Sequence, residues 1–100
     1  MAIVVGVEID DVRLAALCER YGVERLSLFG SVARGTDDPS SDVDVMYEMR
    51  PGRRLGWEIE QMADDLSALF GRPVDVVSRA ALHRRLRAVV LAEARPLYAA

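Results

Sequence analysis

Asp42 and Asp44 stand two residues apart in the string Ser41-Asp42-Val43-Asp44, and Gly30-Ser31 precedes them across the ten residues Val32 to Ser41. On a strand, side chains at i and i+2 share a face, so both carboxylates can converge on one site. Hard oxygen donors of that kind suit magnesium or manganese. An isolated Asp-x-Asp is also what a solvated strand end looks like, so the pair takes its meaning from its surroundings. Asp75 supplies a third acid, set among Val74, Val76 and Val77. Those neighbours predict a strand largely withdrawn from water, where a carboxylate needs a metal, hydrogen bonds or a positive partner. An ion pair with an arginine, or an outward-pointing edge position, is the plainer alternative.

Gly30 and Ser31 fall at the end of an expected strand, where a tight turn can offer backbone N–H groups and a hydroxyl to phosphate oxygens. The plainer alternative is an ordinary glycine-serine turn. Arg34 can reinforce a phosphate site or tie down its own loop by pairing with Asp37 or Asp38. Arg84, Arg85 and Arg87 form a basic cluster, read as a solvated helical face near a negative C-terminal dipole. Trp57 and Tyr47 could stack on a base, but their spacing points to packing, and His83 has no neighbour that implies catalysis.

The elements that must position these residues follow from periodicity and punctuation. Asp10 or Asp11 can cap a first helix whose face is Val12, Leu14, Leu17, Cys18 and Tyr21, ended by Gly22. Val23 to Phe29 reads as a strand, 35–41 as a polar loop with Pro39, and Val43 to Tyr47 as a second strand closed by Pro51 and Gly52. Leu55, Ile59, Met62, Leu66 and Leu69 mark a second helix, with Gly71 and Pro73 as its stop. Val74 to Val77 is a short strand. Ser78 can cap a third helix that buries Leu82, Leu86 and Val89 or Val90 and ends near Pro96. The expected fold is a small α/β domain, a mixed sheet of three or four strands covered by helices.

Composition removes several classes of function. A chain of 100 residues, about half of them apolar, suits one domain spanning 1–100. Cys18 and His83 are single, so an intrachain disulfide, a cysteine-rich zinc site and a paired-histidine motif are excluded, and any metal must be held by oxygen. All thirteen basic residues are arginine, which rules out a Schiff-base lysine and the lysine-bearing phosphate loop. A net charge of −3 gives no uniform positive field, so direct nucleic-acid binding is not expected. The opening Ile3-Val4-Val5-Gly6-Val7 lacks a basic leader and is too short to span a bilayer, so the expected compartment is the cytoplasm, with no membrane association.

Taken together, Gly30-Ser31, the ten-residue spacer and Asp42-Val43-Asp44 resemble the signature of the polymerase-β-like nucleotidyltransferase superfamily. The fuller strings Gly-Ser-x-Ala-Arg-Gly and Ser-Asp-x-Asp are similar to its minimal, MntA-like branch, and Asp75 matches the family's third carboxylate. The resemblance implies a nucleotidyltransferase fold and transfer of a nucleoside monophosphate with two magnesium ions, or manganese. It assigns Asp42, Asp44 and Asp75 to metal binding and catalysis, and Gly30, Ser31 and Arg34 to the nucleotide. It further implies ATP as donor and, as partner, a HEPN-family ribonuclease toxin whose tyrosine accepts AMP, which makes this chain an antitoxin. Larger relatives carry a helical acceptor domain that this chain does not have room for, so a partner protein or a second copy is expected to complete the site. Two other readings stay open: a homodimer that modifies a small molecule of the antibiotic type, and an antitoxin that neutralises its partner by contact alone.

Overall fold

The computed structural model describes residues 2–4, 7–30, 33, 35 and 42–100. Strands β1 (Ala2–Val4) and β2 (Val7–Ile9) pair antiparallel, with Ala2 opposite Ile9 and Val4 opposite Val7. Helix α1 (Asp11–Tyr21), β3 (Val23–Phe29), β4 (Val43–Met49), α2 (Glu58–Phe70), β5 (Val74–Ser78), a 3₁₀ turn at Arg79–Ala81, α3 (Arg84–Glu93) and β6 (Arg95–Ala99) follow. The main sheet has the order β5-β4-β3-β6. β4 and β5 run parallel, joined through α2, while β3 is antiparallel to both of its neighbours. The expected small mixed α/β sheet covered by helices is therefore what forms.

Alternation along the strands gives the sheet two unlike faces. Leu26 and Leu28 of β3 lie opposite Tyr47 and Val45 of β4, and Val43 and Val45 lie beside Val74 and Val76 of β5. This face meets Leu14, Cys18 and Tyr21 of α1 and Met62 and Leu66 of α2 in one buried cluster. Each fully buried aliphatic side chain contributes about 1.5–3 kcal/mol. Both helices are held at their ends as the sequence predicts. Asp10 accepts from the Arg13 N–H at 3.2 Å, and the Gly71 N–H donates to the Ser67 carbonyl at 2.8 Å. Between the helices, the Tyr21 hydroxyl donates to Asp65 at 2.5 Å. Burial, strengthened by the Asp65 hydrogen bond and charge, pushes the Tyr21 phenol up to about 12, and burial alone pushes the Cys18 thiol up to about 12.

Several expectations are corrected. The first is the end of the chain, where β6 follows the last helix and pairs with β3 on the sheet edge. Pro96 hides that strand from periodicity. It is tolerated because β6 is an edge strand and Pro96 sits where the register shifts, opposite Ser27. The antiparallel pair β1-β2 was likewise not expected from the opening apolar run.

Ser78 does not cap the last helix. It leads into the 3₁₀ turn without a side-chain bond, and His83 caps α3 instead, its Nδ1 accepting from the Arg85 N–H at 3.2 Å. Nor is α3 buried: Leu86 and Val89 are 57% and 56% exposed, because the helix covers no large part of the sheet. Val12 of α1 is exposed as well, turned away from the Leu14-Cys18-Tyr21 stripe. Trp57, expected to pack, is 91% exposed, whereas Tyr47 is in the core. Among the described residues no helix is long and apolar enough to cross a membrane.

Candidate active site

The two parallel strands β4 and β5 begin side by side because the Val43 N–H donates to the Pro73 carbonyl at 2.8 Å. That bond sets the register, which places Val43 beside Val74 and therefore Asp44 beside Asp75. Both valines face the helices, so both aspartates project from the opposite face of the sheet. Asp42 is exposed immediately before β4, with the fully buried Val43 between it and Asp44. The carboxylates that the sequence groups by motif are thus brought to one end of two adjacent strands.

Gly30 closes the other side. Phe29, the last residue of β3, lies opposite Asp44, so the chain leaves β3 directly against that carboxylate. Gly30 has φ +73, and a Cβ there would overlap a carboxylate oxygen of Asp44 and come within 3.2 Å of its Cγ. Glycine is required twice over, for the left-handed backbone and for the space. The expected close approach at Gly30 is real in this sense, but its near neighbour is the Asp44 carboxylate. Ser31 and Arg34 lie outside the described residues, as do Asp37 and Asp38; Ala33 between them is buried.

Asp75 departs from expectation in one respect. It is exposed, not withdrawn from water, because β5 is an edge strand and only its alternate residues Val74 and Val76 face the core. The sequence reads the flanking valines correctly but cannot say which side of the strand is covered. Asp44 and Asp75 are side by side in the register, which puts two oxygen donors on one face of adjacent strands. Among the described residues no three His, Cys, Asp or Glu side chains are already gathered as a closed metal cage. A donor set of carboxylates alone nonetheless fits magnesium, which is usually held by one or two carboxylates with substrate phosphates and water completing the shell.

The other candidates separate from this site. Arg84, Arg85 and Arg87 begin α3, so they sit at its positive end and not near a negative C-terminal dipole. The expected electrostatic reason for that cluster has the wrong sign. His83 is a helix cap, and Arg79, just past β5, pairs with Glu48 of β4 at 2.6 Å. Sequence reasoning also missed a group of arginines at the far end of β4, whose signal was the string Arg50-Pro51-Gly52-Arg53-Arg54.

The chain is similar to known proteins over most of its length. The family model of the nucleotidyltransferase domain matches residues 13–98. The protein adenylyltransferase MntA of Thermococcus cleftensis is 35% identical over 98 residues, covering 93% of this chain and 96% of that protein. A candidate protein adenylyltransferase of Methanocaldococcus jannaschii is 33% identical over 75 residues, covering 75% of this chain and 80% of the relative. Among solved structures, a candidate minimal nucleotidyltransferase superposes with a TM-score of 0.72 at 40% identity, covering 87% of this chain and 88% of that one. A toxin-antitoxin complex with AMP-PNP shares the fold, with a TM-score of 0.73 at 19% identity over 92% of this chain and 75% of that one. With its paired aspartates at the head of β4 and β5 and its match over residues 13–98, this chain belongs to the nucleotidyltransferase domain family and is an enzyme of that class.

Proposed function

We propose that the chain transfers AMP from ATP to a tyrosine hydroxyl of a partner HEPN-family ribonuclease toxin, and so serves as its antitoxin. The observation that carries the chemistry is the register of Asp44 with Asp75 beside Gly30. The choice of acceptor draws support from the relatives named as protein adenylyltransferases and from the structural neighbours solved as MntA toxin-antitoxin complexes. The exposed apolar residues of α3 are in keeping with a chain that works against another protein.

In this reading the tyrosine oxygen attacks the α-phosphorus, a new O–P bond forms, and the bond to the bridging oxygen breaks to release pyrophosphate. Asp75, on the outer strand, takes the hydroxyl proton or orients it. Asp42 and Asp44 would hold the cations that bind the triphosphate, and the Ser31 hydroxyl would donate to its phosphate oxygens. Arg34 would add a charge-assisted donor to the phosphates. Two magnesium ions, or manganese, held by Asp42, Asp44 and Asp75 would stabilise charge on the attacking and leaving oxygens of the in-line transfer.

The test is to incubate the purified toxin-antitoxin pair with ATP and magnesium and map the products by mass spectrometry. One AMP on a toxin tyrosine, lost in Asp44→Asn, is the expected result. A toxin silenced without modification would replace this reading with neutralisation by contact, and label found only on an added small molecule would replace the acceptor.

A further inference from the structure

At the end of β4 opposite the aspartates, a cavity of about 520 Å³ is lined by Arg50, Arg53, Arg54, Arg79 and Arg87. Asp44 and Met49 are five residues apart along the strand, a separation of about 16 Å, so this is a different place from the acidic site. Three separate segments deliver the arginines: the turn after β4, the residue after β5, and α3. Local sequence builds the first of them. Pro51 and Gly52, the latter at φ +79, form a turn closed by the Arg53 N–H donating to the Arg50 carbonyl at 3.0 Å. The guanidinium of Arg53 then lies against Gly22, where a Cβ would come within 2.7 Å of Cζ.

Five arginines line this one cavity against a single lining carboxylate, Glu48, which is engaged by Arg79; Arg87 also donates to the Leu82 carbonyl at 3.4 Å. Among the described residues, the buried Nε of Arg50 has no hydrogen-bond partner. An anion with several oxygens would supply that missing partner and balance the excess positive charge of the lining. The concentration of positive charge is sharp because the chain as a whole carries −3. Leu55 and Met49 give the cavity an apolar wall, and its volume falls in the range of small-molecule sites, not of a flat protein interface. Arginine forks match phosphate oxygens in pairs.

We propose that this cavity is a second anion site that takes an oligophosphate-bearing small molecule of nucleotide size, without a metal and independently of the aspartates. Two sources share that chemistry, a free nucleotide and inorganic pyrophosphate of the kind a nucleotidyl transfer releases.

The experiment is an amide NMR titration of the full chain in EDTA with inorganic tripolyphosphate, ADP and pyrophosphate in parallel. Saturable shifts at Arg50, Gly52, Arg53, Arg79 and Ala80 are expected, with a Kd of about 1 mM or below. Arg54→Ala/Arg87→Ala should weaken binding about tenfold or more while keeping the native spectrum. Glu48→Gln, which frees Arg79, should tighten it, an effect that a purely structural pocket would not show. ADP binding tighter than pyrophosphate would assign the apolar wall to a nucleoside, and equal affinity would assign the site to inorganic phosphates. The proposal fails if no ligand saturates, if shifts gather at Gly30 and Asp44 instead, or if a glutamate-rich peptide binds more tightly than tripolyphosphate. Because metal is absent throughout, these outcomes do not depend on whether AMP transfer to a toxin is correct.

Discussion

The two ends of β4 carry opposite charge on one rigid frame. At its start stand Asp42 and Asp44, with Asp75 alongside; at its finish stand Arg50, Arg53 and Arg54, with Arg79 and Arg87 converging from other elements. Between them Val43, Val45 and Tyr47 are buried against α1 and α2. The ends differ in how they are built. The acids come from alternation and strand register, so their relative position is fixed by backbone hydrogen bonds. The arginines come from a turn, a 3₁₀ segment and a helix, so their convergence depends on long side chains. The first arrangement suits chemistry that needs fixed ligands, and the second suits binding an anion of variable shape.

The sharpest test of this contrast is Asp75→Asn. Transfer should fall by about 10²–10⁴-fold if Asp75 handles the acceptor proton. Because Asp75 is exposed on an edge strand, the melting temperature should be nearly unchanged. Single-turnover kinetics beside thermal denaturation would check both, and a destabilised but fully active variant would make Asp75 a structural acid.

Gly30→Ala tests the acidic end by geometry alone. The new methyl must displace the Asp44 carboxylate and occupy a left-handed backbone, at a stability cost of about 1–2 kcal/mol. Activity should drop by more than the loss of folded protein explains, whereas tripolyphosphate binding at the arginine end should be unchanged. Equal loss at both ends would mean that the two sites are not independent.

Val45→Ala should do the opposite, since Val45 lies in the core between the ends. A cost of about 2 kcal/mol is expected from the lost burial and the cavity left behind. It should appear in denaturant unfolding, with transfer per folded molecule nearly preserved.

The smallest expected effect concerns the layer under the sheet. Cys18 and Tyr21 have pKa values raised to about 12 from 9.0 and 10.0, so the folded state holds their protons more tightly than the unfolded state. Their contribution to stability is complete below pH 9 and declines as pH rises from about 9 towards 12. Urea midpoints measured across that window should fall, and Tyr21→Phe should flatten the fall while losing about 1 kcal/mol from the Asp65 hydrogen bond. A midpoint that stays level to pH 11 would contradict the burial assigned to both groups.

Much of this architecture is local enough to be read along the chain. The helix stops at Gly22 and Gly71, the Met62-Leu66 stripe and the alternation of Val43 and Val45 around Asp44 are set by periods of 3.6 and 2, which any short window contains. The spacing from Gly30-Ser31 to Asp42 and Asp44 is likewise a property of the string. Tertiary structure alone decided that Asp44 and Asp75 share a register, because that follows from the bond between Val43 and Pro73, thirty residues apart. It also decided that β5 and β6 are edges, which leaves Asp75 exposed and lets a strand contain Pro96. The arginine cavity is the extreme case. Its arginines span positions 50 to 87, and no local period relates them, so only the packing of three distant segments could bring them to one place.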